Sequence, residues 1–172
     1  SAQPVHGSPG SYYDGFIARL DLDLGIIKAS FLGGCSIDSA NGVAVDGDVY
    51  VTGDSMYNPS CEGCIPGMRI GCFPWIDPNS FGGQEDAYVV RMKSDLTEVD
   101  NATYLGGYGM EFGSAIAINK SMHKVYVSGV TGAVYDTSHT PAYYNDFPAR
   151  DGHPNGFQTN MGGGQDAYVA RF

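Results

Sequence analysis

The sequence predicts an all-β fold of two tandem four-stranded antiparallel modules, followed by an extra C-terminal strand and interrupted by long inserted loops. Two observations predict it, the composition and an internal repeat. The 172 residues include 25 glycines and 12 tyrosines, and only 16% are charged. Such a chain is rich in turn and strand formers and poor in the Glu, Lys and Leu of long amphipathic helices. We therefore expect almost no helix.

The internal repeat is marked by one string that occurs three times. It reads DGFIARL at residues 14–20, DAYVVRM at 86–92 and DAYVARF at 166–172. After the first two copies come, in the same order, a run ending in Gly-Gly, an alternating apolar run, and a Val-Tyr-Val run ending near a glycine. This order predicts a tail at 1–13, a first β-module at 14–85, a second β-module at 86–165, and a last strand at 166–172. That strand is either the first strand of a third module or a connector between subunits.

The runs between the repeated strings are short and rich in β-formers. In residues 49–52 and 125–128, apolar residues occupy both alternating sets, which predicts strands covered on both faces. Residues 46–48 read Asp-Gly-Asp and predict a tight hairpin, which a longer turn at 119–124 replaces in the second module. Each module then has a long loop, at 54–82 and 130–163. Loops of this length are usually functional or pinned by disulfides.

These strings resemble a known repeat family. DAYVAR, YLGG, VYVTG and the run FQTNMGGGQD at 157–166 are similar to the β-propeller repeats often called SBBP repeats, which occur in secreted and cell-surface proteins. The resemblance covers both modules. It implies propeller-blade-like units of four strands and an extracellular location, and it carries no shared catalytic residue.

All cysteines fall in the first module, and three of them lie inside its long loop. They are Cys35, Cys61, Cys64 and Cys72. We favour disulfides, whose pairing the sequence leaves open. The alternative is a metal or redox site, because Cys61 and Cys64 have the two-residue spacing of both. Covalent haem attachment is excluded, since Ile65 stands where that motif requires His.

The charge pattern argues against two classes of partner. The net charge is −10, and the nine Lys and Arg are scattered singly, so no basic stripe exists to bind a phosphate backbone. No apolar run approaches the roughly 18 residues that a membrane-spanning helix needs. We expect neither nucleic acid nor a membrane span.

Signatures of catalysis are missing from the sequence. The four histidines fall in predicted loops or the N-terminal tail, and neither Gly-x-Ser-x-Gly nor His-Glu-x-x-His occurs. We therefore predict a protein that is not an enzyme and has no catalytic residue, metal site or cofactor. Calcium is the alternative, because residues 151–156 half resemble a calcium loop. His153 at the third place and Gly162 at the twelfth depart from that pattern.

Two further sets of residues suit surface roles. Asn101 and Asn119 begin N-glycosylation triplets, which predicts solvent-facing positions in a glycoprotein. Aromatic residues in the loops suit contact with glycans or proteins, because such rings supply area at low entropy cost. They are Tyr57, Trp75, Tyr135, Tyr143 and Tyr144.

The function that these observations favour is structural. Two blades cannot close a propeller, which typically needs about 4–8, and a lone strand exposes an edge that soluble monomers avoid. The hypothesis is a secreted assembly subunit, in a filament, ring or surface layer, that joins copies of itself or other repeats of a longer chain by strand addition. The connecting residues are Asp166, Ala167, Tyr168, Val169, Ala170, Arg171 and Phe172. The alternative is an extracellular module that binds glycans or proteins through the long loops.

Overall fold

The computed structural model describes residues 13–34, 36–56, 83–135, 143, 144, 147 and 162–172. These residues form β-strands and turns and contain no helix. The strands are β1 (Gly15–Leu20), β2 (Ile26–Leu32), β3 (Asp38–Asp46), β4 (Asp48–Met56), β5 (Glu85–Met92), β6 (Val99–Leu105), β7 (Met110–Asn119), β8 (Lys124–Gly132), β9 (Val134–Tyr135), β10 (Tyr143–Tyr144) and β11 (Gln165–Arg171). The predicted all-β class is confirmed. Within this part of the chain no helix could span a membrane.

The strands pair in sequential antiparallel groups. β1 and β2 form the hairpin sheet. β3, β4, β5 and β6 follow one another in the central sheet. β7, β8 and β11 form the C-terminal sheet, which a single parallel bridge from Glu85 to Met110 joins to the central sheet. β9 and β10 make a separate pair. The central sheet therefore combines the last two strands before the second copy of the repeated string, which begins at Asp86, with the first two strands from that point onward.

The apolar core has two parts, one on each face of the central sheet. The first unites Leu32 of the hairpin sheet with Val51, Tyr88 and neighbours of the central sheet. The second joins Val89 of the central sheet to C-terminal-sheet residues including Val127 and Tyr168. β5 is consequently buried on both faces, as the apolar residues in both of its alternating sets require.

The first strand of the central sheet and the first strand of the C-terminal sheet each contain a bulge. In β3 the register shifts between Ala40 and Gly42, and in β7 it shifts between Gly113 and Ala115. The residue opposite each bulge is a glycine. A Cβ on Gly53 would lie 1.8 Å from the Ser39 carbonyl oxygen, and one on Gly129 would lie 1.8 Å from that of Phe112. Only a residue without a side chain fits there.

The predicted turns are present. Asp46 pairs with Asp48 around Gly47, whose φ of 73° lies in the left-handed region that glycine tolerates. The longer turn of the second module closes with Asn119 opposite Lys124. The predicted tight hairpin in the first module and the longer turn in the second are confirmed. In each case the pairing of the two strands continues up to the residues that flank the turn.

Candidate assembly site

The edge of the C-terminal sheet is formed by β11, the strand on which the sequence-based assembly hypothesis rests. β11 pairs with β8 from Gln165 opposite Gly132 to Arg171 opposite Tyr126. No strand of the described chain pairs with its other edge. Its counterpart β5 lies between β4 and β6. The strand at residues 166–172 is therefore held by its own chain on one side and open on the other.

The outer face of β11 is uncovered as well. Val169 is 75% exposed, whereas the equivalent Val89 in β5 is 8% exposed. The inner face is packed normally, since Tyr168 is buried and its ring centroid lies 4.8 Å from that of Phe147. β11 thus has the inner packing of β5 without the neighbouring strand or the covering sheet.

An apolar cleft lies at the opposite end of the stack of sheets. It has a volume of about 630 Å³ and lies between β1 and the face of β3 and β4. Phe16, Val43 and Val45 line it and are 69%, 60% and 62% exposed. In the C-terminal sheet, Ile116 corresponds to Val43 and packs against the core. The cleft therefore lies beside β1. In the other two sheets a strand pairs with the counterpart of β1 at this place, because β4 pairs with β5 and β8 pairs with β11.

A carboxylate begins each copy of the repeated string and packs on glycine. A Cβ on Gly106 would lie 2.5 Å from Asp86 Oδ1, and one on Gly33 would lie 2.7 Å from Asp14 Oδ1. Each glycine is the first of the Gly-Gly pair that ends the following strand. Asp166 accepts a hydrogen bond from the Gly162 amide. In the described chain, no Gly-Gly strand end lies beside Asp166.

A second carboxylate follows each Gly-Gly pair and was not anticipated from the sequence. The Gly34 amide donates to Asp38 Oδ2 at 2.7 Å, and the Gly107 amide donates to Glu111 Oε2 at 2.8 Å. Both acids are buried. Each lies four residues beyond the second glycine, so a shared Gly-Gly-x-x-x-acid spacing is the signal that could have identified them.

Burial controls the electrostatics of these acids. It raises the pKa of Asp38 to about 7; the Gly34 amide and the nearby Ser55 hydroxyl lower it, and Asp14 and Asp54 raise it further. Asp38 Oδ1 and Ser55 Oγ are buried without a hydrogen bond of ordinary geometry between them.

Glu85 and Asp54 form a buried pair of acids. Burial raises the pKa of Glu85 to about 7, and the neighbouring Asp54 carboxylate raises it further. Asp54 itself accepts hydrogen bonds from Ser39 Oγ at 2.6 Å and Asn41 Nδ2 at 2.8 Å. The Asn41 amide also donates to the Gly113 carbonyl at 3.0 Å, linking the central and C-terminal sheets. Among the described residues, no group of three or more His, Cys, Asp or Glu side chains could hold a metal ion.

Asn101 is exposed on β6, as a glycosylation site requires, while Asn119 is half-buried. The Asn119 side-chain oxygen accepts hydrogen bonds from the Ser121 hydroxyl and the Met122 amide. Use of either site stays a prediction.

Most of the other predicted site residues lie outside the described residues. These are Cys35, Cys61, Cys64, Cys72, Tyr57 and Trp75, together with the calcium-like segment at 151–156. Tyr135 pairs with Tyr143, and Tyr144 pairs with Val134, along the backbones of β9 and β10. The disulfide, calcium and loop-binding interpretations therefore stay predictions.

Comparison of the sequence with protein-family models and with curated proteins gave no significant match. The similarity to SBBP repeats thus rests on the residues named above, and it remains an expectation.

Proposed function

We propose that this protein is an extracellular structural subunit, without enzymatic activity, whose copies assemble by strand addition at β11. One observation carries the proposal. β5 is flanked by strands on both edges and covered on both faces, whereas β11, with nearly the same sequence, is open on one edge and one face within the described chain. A second copy that supplied the missing strand and sheet would give β11 the environment of β5.

The energetic case rests on both kinds of open surface. Burying apolar surface contributes about 25 cal/mol for each Å² removed from water, and Val169 is a large apolar side chain, 75% exposed, on the outer face of β11. The edge adds backbone N–H and C=O groups that a partner strand can pair. Because the edge and the face lie on the same seven-residue strand, one neighbour could cover both.

A propeller-blade-like arrangement of the sheets is part of this proposal. The central sheet has four antiparallel strands in sequential order and carries apolar clusters on both faces, as a blade between two other blades would. The resemblance to repeats of secreted and cell-surface proteins supports the extracellular location.

Removal of β11 tests the proposal. We expect the full chain to form particles whose mass, measured by sedimentation, is a multiple of 18.3 kDa. A chain lacking residues 166–172 should stay monomeric, and a truncated chain that still assembles would overturn the proposal.

A point variant separates assembly from folding, because the truncation also removes Tyr168 from the core. Val169→Lys places a charge on the open face of β11 and should prevent assembly while the monomer stays folded by circular dichroism. Met122→Lys is the matched control, because Met122 is 52% exposed and lies in the turn between β7 and β8. This control should assemble like the parent.

A further inference from the structure

We propose that the strand completing the C-terminal sheet is β2 of a second copy, and that β11 takes the place that β1 holds in that copy. This inference rests on the proposed assembly function and names its partner strand. The observation behind it is that the hairpin sheet and the C-terminal sheet are complementary parts of the central sheet.

The central sheet defines four strand positions, in the order β3, β4, β5 and β6. By sequence equivalence, β7, β8 and β11 occupy the first three positions of the C-terminal sheet, and β1 and β2 occupy the last two of the hairpin sheet. Within the described chain, the C-terminal sheet lacks only a strand at the fourth position. β2 is the strand that holds this position in the hairpin sheet. Both sheets contain a third strand, so β1 and β11 are alternatives for one place.

The two observed pairs of third and fourth strands share one register. The pairs are Gly15 with Leu32, Phe16 with Phe31 and Ile17 with Ser30, and Ala87 with Leu105, Tyr88 with Tyr104 and Val89 with Thr103. Both pairs also shift register next to the arginine of the repeated string, Arg19 or Arg91. Applied to β11, this register places Leu32, Phe31 and Ser30 of the second copy opposite Ala167, Tyr168 and Val169. It also brings the Gly33 of that copy onto the Asp166 carboxylate.

Side chains on both strands favour the exchange. The Tyr168 hydroxyl donates to the Phe112 carbonyl at 3.3 Å, as that of Tyr88 donates to Ser39, whereas Phe16 of β1 has no hydroxyl. Phe31 on β2 is 51% exposed, but Tyr104 at the same place in β6 is 3% exposed. Pairing with β11 would turn Phe31 toward the apolar cluster around Tyr168.

The apolar cleft beside β1 fits the same arrangement. When β11 replaces β1, β8 accompanies it and enters the cleft of about 630 Å³. Val43 and Val45 would then be covered, as Ile116 is covered between the central and C-terminal sheets. Simple stacking of the hairpin sheet on the C-terminal sheet would leave this cleft open.

A synthetic peptide of residues 25–34, GIIKASFLGG, tests the partner strand. Added to the full chain, it should occupy the open edge of β11 and lower the particle mass. The matched control is the same peptide with Gly33→Ala, whose added Cβ would meet the carboxylate. We expect this control to cap at least about tenfold more weakly. With benzoylphenylalanine in place of Phe31, photolysis and mass spectrometry should find cross-links within residues 166–170.

The outcomes separate this inference from the function on which it rests. Cross-links confined to other strands, or equal capping by the two peptides, would overturn β2 as the partner while the proposed function stands. A full chain that is monomeric without peptide would overturn the proposed function, and this inference with it. Cross-links at β11 together with weaker capping by the Gly33→Ala peptide support β2 as the partner.

Discussion

At the scale of single residues, Gly53 and Gly129 each occupy a close approach to the backbone of the neighbouring strand. Each lies opposite a bulge, and each would bring a Cβ against a carbonyl oxygen of the neighbouring strand. The sequence repeat predicted glycines at the ends of these strands, but Gly53 and Gly129 lie inside β4 and β8. It did not predict the bulges, because a bulge adds one residue to a strand without changing the apolar pattern around it.

Gly53→Ala should destabilise the protein by about 2–4 kcal/mol, because the bulged strand must move to admit the methyl group. The measurement is the free energy of unfolding in urea. Gly163→Ala is the control, since a Cβ there would meet no atom within 4 Å. Equal stability of the two variants would contradict the close approach at Gly53.

The buried Asp38 makes stability depend on pH. Its folded pKa of about 7 exceeds its ordinary value of 3.8, so the folded state binds the proton more tightly than the unfolded state. This contribution is fully present below the ordinary pKa and is lost as pH rises through about 7. Between those limits the loss is on the order of 4 kcal/mol.

Asp38→Asn should flatten this decline, leaving the part that Glu85 contributes over the same range. Urea unfolding measured from below pH 5 to pH 8 checks it. The exposed Asp23→Asn variant should keep the slope of the parent. If Asp38→Asn kept that slope too, Asp38 would not be the group that titrates.

At the scale of elements, one tyrosine joins each third strand to the bulged strand of its sheet. The Tyr88 hydroxyl donates to the Ser39 carbonyl at 2.7 Å, and the Tyr168 hydroxyl donates to the Phe112 carbonyl at 3.3 Å. The first copy of the repeated string has Phe16 instead, and its sheet contains neither β3 nor β7, the two strands with a bulge opposite a glycine. The hydroxyl is thus found where the bulge is found.

Tyr88→Phe should cost about 1–2 kcal/mol, because it leaves a carbonyl near the core without its donor. Tyr168→Phe should cost less, because its hydrogen bond is longer. Thermal or urea unfolding of the two variants provides the comparison. A larger loss in Tyr168→Phe would contradict the geometry.

The sequence predicted which segments become strands but could not predict how they are grouped. Each repeated run became a strand, and the Gly47 turn formed as expected. Dividing the repeat at Asp14 and Asp86 was natural, yet a periodic sequence has no preferred starting point. The hydrogen-bonded unit begins two strands later, at Asp38. Buried acids such as Asp38 were missed because carboxylates are rarely buried and look like surface residues in a sequence.

At the scale of the whole molecule, the sequence predicted a strand at residues 166–172 but not the surroundings of that strand. β11 pairs with β8 although residues 133–164 separate the two strands in the chain, and the matching of repeats carries no information about such pairing. The cleft beside β1 could not be predicted from the sequence either. It depends on which strands are absent from the hairpin sheet of the described chain. The proposed contact between copies would cover the open surfaces at both ends of the stack.

The net charge of −10 predicts how assembly responds to salt. Copies with the same charge repel one another, and salt of about 0.15 M screens charges beyond roughly 8 Å. Assembly should therefore strengthen as salt rises from about 0.02 M to that concentration. Light scattering measures it, with Val169→Lys as the variant that stays monomeric throughout. Weaker assembly in salt would indicate contacts dominated by ion pairs.

The mass of the native particle as a function of concentration tests the central claim most directly. Open edges and faces on β11 predict a parent protein that sediments as multiples of 18.3 kDa, increasingly so at higher concentration, beside a Val169→Lys variant that sediments at 18.3 kDa. A parent protein of 18.3 kDa at every concentration would contradict the claim.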